Sequence, residues 1–283
     1  MFLTQDGGSR FALHDLGGDG PPVLICHATG FCGRAYTPLA GLLARHFHVW
    51  AIDFAGHGDS DLPPGNDFNW LGMVDQIVAA KAAISEEPLA CVVGHSMGGA
   101  VALQAAVDHP GLFSRGYIFE PALPPAAAPG GRTGKNPMAD GARRRQDAFE
   151  SKGAAMWRYA ARPPLNQLDA ASLAAYVEHG FRALPDGSIT LKCTPESEAR
   201  TFESSGGISL GSVSTAAFPV LCVAGGEPGS PIAAVVPGLA EALPRGELRI
   251  HRHLGHFGPL QSPGLIADEI IEFVTGAETS RTA

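Results

Sequence analysis

Gly94-His-Ser-Met-Gly98 sets one serine between two glycines. The apolar run Leu89-Ala-Cys-Val-Val93 leads into it and reads as a buried strand, and Gly99 to Val107 continues as a helix. A chain that turns from strand to helix at a single residue needs small neighbours. The residue at the corner is then held in strained, exposed geometry. The following helix N-terminus offers backbone N–H groups and the positive end of its dipole to an oxygen that gains negative charge. Residue type, spacing and context together point to an activated serine hydroxyl.

The elements that must position this serine alternate along the chain. Val23–Cys26, His48–Asp53, Leu89–Val93 and Tyr117–Phe119 are short apolar runs bounded by Pro or Gly, and Trp70–Ile84 has apolar residues at a helical rhythm. The pattern resumes with Val220–Ala224, Glu247–His251 and a closing helix over Pro263–Val274. Short apolar strands separated by helices predict a mostly parallel, twisted α/β sheet with helices on both faces. Between the two halves the character changes. Residues 121–137 are rich in Pro, Ala and Gly and read as a linker. Residues 138–183 read as helices, including Gly141–Lys152 and Leu168–His179, and Ile189–Cys193 reads as a short strand. The expected organisation is a core of residues 1–120 and 216–283, with a mainly helical cap inserted over 121–215.

The chain has 283 residues and a net charge of −8, so a nucleic-acid partner is not expected. Hydrophobic residues make up 45% and charged residues 17%, which excludes a disordered chain. No run approaches the roughly 20 apolar residues a membrane helix needs, and Met1–Arg10 has no signal-peptide pattern. A soluble, cytoplasmic protein with no membrane partner is expected. Five cysteines, none in a Cys-x-x-Cys pair, suggest neither a disulfide framework nor a thiolate metal site. His251, His253 and His256 lie close in sequence, but His251 and His253 read as polar strand-face residues rather than metal ligands, so neither a metal nor a cofactor is expected.

With the Gly-x-Ser-x-Gly turn in place, three further segments make the chain resemble the α/β-hydrolase fold superfamily over nearly its whole length. His27-Ala-Thr-Gly-Phe31 is similar to that family's oxyanion loop. Asp53-Phe-Ala-Gly-His-Gly-Asp-Ser60 is similar to its Asp-x-x-Gly-x-Gly-x-Ser turn, and Leu254-Gly-His-Phe-Gly258 to its histidine loop. The resemblance implies Ser96 as nucleophile, His256 as general base, and the Met97 and Thr29 N–H groups as oxyanion donors. A histidine suits the base because its pKa lies near neutrality. His95 reads as a packing or hydrogen-bonding residue.

The acid of the triad is where the pattern diverges. Many members carry it three residues after the Gly that follows the strand here at 220–224, and that position is Pro228; Glu227 stands one residue early. A second family position, the end of the strand after the nucleophile helix, is Glu120. Glu120 is the preferred acid and Glu227 the alternative.

In the cap, Arg143-Arg-Arg145 fans around most of a helix and reads mainly as a solvated face, with one arginine able to turn inward to a substrate carboxylate. Met156, Trp157, Tyr159 and Phe181 read as cap core rather than pocket wall. The expected function is a serine hydrolase cleaving a carboxylic ester or lactone of a small molecule through an acyl-enzyme. The alternatives are a carbon–carbon bond hydrolase acting on a vinylogous diketone and, from another class, a ligand-binding receptor on a hydrolase scaffold.

Overall fold

The computed structural model describes residues 1–5, 7–123 and 136–276. Among the described residues, eleven strands and eleven α-helices run in the order β1 (Phe2–Thr4), β2 (Arg10–Asp15), β3 (Pro22–Cys26), α1 (Thr37–Leu43), β4 (His48–Asp53), α2 (Trp70–Ile84), β5 (Cys91–His95), α3 (Met97–Asp108), β6 (Gly116–Phe119), α4 (Pro137–Arg143), β7 (Ala148–Phe149), α5 (Lys152–Ala160), α6 (Ala170–His179), β8 (Phe181–Ala183), β9 (Ile189–Leu191), α7 (Pro195–Glu203), α8 (Leu210–Val213), β10 (Val220–Gly225), α9 (Val236–Ala242), β11 (Gly246–His251), α10 (Gly258–Gln261) and α11 (Pro263–Thr275).

Eight strands form one sheet in the order β1-β2-β4-β3-β5-β6-β10-β11. β4 through β11 in that order are parallel, and β2 joins β4 antiparallel. The expected mostly parallel α/β sheet is therefore present. The sequence reading passed over β1 and β2, short strands on the antiparallel edge.

Side chains alternate between two cores. Val23, Ile25, Val93, Tyr117, Phe119 and Val223 pack with α1 and α11 on one face. Leu24, Cys26, Val92, Ile118 and Cys222 pack with α2, α3 and α9 on the other. Burial on both faces is why these strands read as continuous apolar runs rather than as alternating ones. α2 starts where the rhythm predicts because the Asn69 side chain accepts the Leu71 N–H at 3.0 Å, and it ends at Ser85, whose backbone is extended.

Between β6 and β10, α4–α8 accompany a small antiparallel sheet, β7-β9-β8. The helix expected over Gly141–Lys152 is not there. Asn136 caps α4 from the front, the helix stops at Arg143, and Ala148–Phe149 is drawn into pairing with Ile189–Thr190. The linker expected over 121–137 falls largely outside the described residues, and Pro137 already belongs to α4. Tyr159 and Phe181 are buried in the core of this segment, but Tyr159 also lines the cavity beside Ser96, contrary to the expectation that it is not pocket wall, and Trp157 is 77% exposed. This segment is tied to the sheet through Trp70 Nε1, which donates to the Thr201 carbonyl at 2.9 Å, and Asp169 N, which donates to the Leu260 carbonyl at 2.9 Å. Among the described residues no helix is long and apolar enough to cross a membrane.

Candidate active site

Strand order reverses between β3 and β5, and an open α/β sheet presents a crevice at the carboxyl ends of its strands at such a point. Four of the residues singled out from the sequence sit there. Ser96 follows β5, Thr29 follows β3, Glu120 follows β6, and His256 follows β11.

Ser96 has φ 54° and ψ −119°, a left-handed conformation that a non-glycine residue adopts only under constraint. The constraint is close packing on both sides. A Cβ at Gly94 would lie 2.5 Å from the Gly99 Cα, and one at Gly98 would lie 2.3 Å from the Cys26 carbonyl oxygen. The serine carbonyl accepts the Gly99, Ala100 and Ala122 N–H groups, each at 3.1 Å, which pins the corner. Its hydroxyl makes no hydrogen bond among the described residues and faces a cavity of about 410 Å³ shared with His256, Thr29 and Phe257.

Glu120 is the second strained residue, with φ 40°, and it is fully buried. Its two carboxylate oxygens have separate partners. Oε1 accepts the Gly225 N–H at 2.7 Å, and Oε2 accepts from His256 Nδ1 at 2.7 Å. A carboxylate only accepts, so the proton of the neutral imidazole is on Nδ1 and Nε2 is left with a free lone pair. Glu227 lies exposed in the turn after β10 and makes no hydrogen bond to His256. The geometry therefore joins Glu120, not Glu227, to the histidine.

His95, expected to pack or hydrogen-bond beside Ser96, holds the histidine loop from behind. Burial drives His95 well below its ordinary pKa and keeps it neutral. Its Nε2 donates to the His256 carbonyl at 2.7 Å, so its Nδ1 accepts from the Tyr36 hydroxyl at 2.6 Å. That hydroxyl in turn accepts the Ala28 N–H at 3.2 Å. The Ala28 amide is thereby used. The Thr29 and Met97 amides meet no protein acceptor among the described residues and remain available to an anionic oxygen. His27, held neutral by burial that lowers its pKa to about 3, accepts the Phe54 N–H on Nε2 at 3.0 Å and donates from Nδ1 to the Ala28 carbonyl at 2.8 Å. Tyr36 carries no sequence signal of its own, because only the folded loop brings it to His95.

The Asp53–Ser60 turn is a support for this loop. Asp53 is buried, accepts Gly33 N–H at 2.6 Å and Asp59 N–H at 2.8 Å, and meets His14 Nε2 at 2.8 Å. Burial alone would raise its pKa; the hydrogen bond and charge of His14 and the Asp59 amide outweigh burial and hold it down to about 2. The folded value lies below the ordinary 3.8, so the stability it supplies is complete above about pH 4 and is lost as pH falls toward 2. Asp53→Asn is expected to cost about 3 kcal/mol at neutral pH. It should also shrink the fall in urea midpoint between about pH 5 and about pH 3 relative to wild type. An undiminished acid-side fall in the variant would show that another group carries it.

His14, Asp53 and Asp59 bring one ligand atom each within 4.8 Å of one another. Asp59 is already paired with Arg34 and Lys192, and two cations beside it oppose a divalent ion. His251 bonds both oxygens of Glu269 at 3.0 Å, while His253 lies in the exposed turn beyond β11, so these two do not converge with His256 on a ligand set.

Above the serine the three consecutive arginines diverge. Arg143 turns outward to Glu196 and Glu203 on α7. Arg145 turns inward, paired with Glu198 at 2.8 Å and hydrogen-bonded to the Tyr176 hydroxyl, which donates to the Gly30 carbonyl at 3.3 Å. Arg144 lines the cavity. A larger opening of about 540 Å³ beside α2 is lined by none of Ser96, His256 and Thr29.

A family model described as the alpha/beta hydrolase family matches residues 23–269. The structure is similar to that of an E-2-(acetamidomethylene)succinate hydrolase, with a TM-score of 0.78 and 22% identity over 97% of this chain and 100% of that one. Two curated relatives match over shorter stretches. The magnesium-chelatase 30 kDa subunit of Rhodobacter capsulatus is 35% identical over 92 residues, 32% of this chain and 32% of its own length. A pimeloyl-[acyl-carrier protein] methyl ester esterase of Aeromonas salmonicida is 32% identical over 94 residues, 33% of this chain and 35% of its own. The matched stretch spans about a third of the length of each curated relative.

Proposed function

The chain belongs to the alpha/beta hydrolase family, and from that premise we propose that it is a serine hydrolase cleaving a carboxylic ester or lactone of a small molecule, with residues 121–215 as a cap over the site. The observation that carries the reading is the buried Glu120 carboxylate on His256 Nδ1, which leaves Nε2 free in the cavity that Ser96 faces. The ester esterase among the relatives is consistent with it.

The steps follow from the geometry. His256 Nε2 takes the Ser96 proton as Oγ attacks the carbonyl carbon, and Glu120 stabilises the imidazolium that forms. The Thr29 and Met97 N–H groups hold the oxyanion of the tetrahedral intermediate. The intermediate collapses as the C–O bond to the leaving alcohol breaks and His256 returns the proton to that alcohol. Water then attacks the acyl-enzyme, again giving its proton to His256, and Ser96 is released with the carboxylic acid.

The test needs no knowledge of the substrate. A small fluorophosphonate is expected to add once to the wild-type chain, read by intact mass, and not at all to Ser96→Ala. A folded wild-type protein that takes up no adduct would overturn the reading and favour a receptor role.

A further inference from the structure

The cavity above Ser96 has a charge arrangement that ester hydrolysis does not require. Four arginines line it: Arg144 just past α4, Arg145, and Arg158 and Arg162 at and just beyond the end of α5. Only Arg145 is neutralised, by Glu198. Among the described residues Arg144, Arg158 and Arg162 have no carboxylate partner, and the stretch 124–135 contains no acidic residue that could supply one. The cap does not lack acids. Glu196, Glu198 and Glu203 on α7 are all spent on Arg143 and Arg145. In a chain of net charge −8, three unneutralised guanidinium groups around one opening are a local reversal of sign. Like charges gathered this way repel one another, and an anion between them would relieve that repulsion.

Spacing adds to the argument. Arg158 on α5 and Arg162 two residues past its end both line the cavity, so two forks are within reach of one ligand. Leu165, Ala142, Phe202 and Phe257 line the same cavity and give it apolar wall. A guanidinium matches a carboxylate through two parallel N–H donors.

We propose that the substrate carries a carboxylate at the end of its acyl chain remote from the scissile carbonyl. Arg158 and Arg162, with Arg144, hold that carboxylate while the apolar wall covers the intervening carbons. This assignment of substrate class rests on the serine-hydrolase reading.

The experiment compares two esters of equal acyl length, mono-4-nitrophenyl adipate and 4-nitrophenyl hexanoate. Wild-type kcat/KM is expected to favour the adipate by about tenfold or more, mainly through KM. Raising NaCl to about 0.5 M should shrink the preference. Arg158→Met combined with Arg162→Met should abolish it, and Arg158→Lys combined with Arg162→Lys should retain part of it. Adipate alone should raise the Tm of wild type and not of the double methionine variant. A wild-type preference for hexanoate, or a salt-insensitive ratio that survives the double methionine substitution, overturns the proposal. Absence of turnover on both esters, with no fluorophosphonate adduct on Ser96, would instead be the failure of the hydrolase reading, and the Tm shift with adipate would still decide for or against the anion site.

Discussion

On the proposed function, Ser96→Ala is expected to lower kcat on an activated ester by about five to six orders of magnitude, the scale on which removal of a triad nucleophile acts in serine enzymes. The loss is large because no other hydroxyl shares the corner of the strand–helix turn with the free amides of Met97 and Thr29. A residual rate of about 10³-fold over water is expected to persist from the oxyanion donors and substrate binding alone. The substitution should leave the fold intact. The hydroxyl has no hydrogen-bond partner among the described residues, and alanine meets the same left-handed backbone as serine. The change in stability should therefore stay within about 0.5 kcal/mol, visible as an almost unmoved urea midpoint. Measured together, loss of turnover with unchanged stability separates a chemical role for Ser96 from a structural one. More than a few percent of wild-type activity in the variant would remove Ser96 from the mechanism.

What could be read in advance from the residues divides along a physical line. Features set by neighbours in sequence were legible. The strand and helix around Ser96 follow from an apolar run, two glycines and a helical continuation, and α2 follows from its periodicity and its Asn69 cap. Features set by contacts across the chain were not. Glu120 and Glu227 are equally acidic and both precede His256; only the closing of β6 against β10 gives Glu120 the Gly225 amide and the imidazole together. Tyr36 reaches His95 across 59 residues, and no local pattern marks it. The expectation that Arg143–Arg145 fans around one helix rests on a helix that does not continue past Arg143. α4 ends at Arg143, and the next two side chains both line the cavity, Arg145 paired there with Glu198 and Arg144 with no carboxylate partner among the described residues. The same early ending released Ala148–Phe149 to become a strand.

Strain is concentrated where the chemistry is placed. Among the described residues three non-glycine positions have positive φ, and two of them are Ser96 and Glu120. Each such conformation costs of order 1–3 kcal/mol. Both are held by backbone hydrogen bonds that their immediate neighbours supply: Ser96 N to the Phe119 carbonyl at 3.0 Å and Glu120 N to the Val223 carbonyl at 2.9 Å. The strands that carry the two residues thus also fix their exits, and Ser96 and Glu120 are registered through adjacent ladders of one sheet. The histidine arrives on a loop instead, and its carbonyl is anchored by the neutral His95.

That difference makes the tautomer of His256 depend on one contact, and Glu120→Gln is expected to expose it. Glutamine fills the same space and can still accept the Gly225 N–H through its carbonyl oxygen. Its amide then turns an N–H₂ donor toward Nδ1, where the carboxylate had accepted. The imidazole must place its lone pair on Nδ1 and its proton on Nε2, and in that tautomer Nε2 cannot take the Ser96 proton. The imidazolium that forms during attack also loses its counter-charge. The expected loss in kcat is about 10³- to 10⁴-fold with little change in KM, because nothing in the ground-state cavity is altered. Glu120→Asp keeps the charge but is one methylene shorter, so it cannot span Gly225 and His256 together; an intermediate loss of about 10²-fold follows from the displaced imidazole. Glu227→Gln should stay within about threefold of wild type, since that side chain is exposed and does not bond the histidine. Steady-state kinetics on one activated ester orders the three variants. A large loss in Glu227→Gln beside a small one in Glu120→Gln would transfer the role of the acid to the β10 turn, and would require that turn to fold inward over His256 when substrate binds.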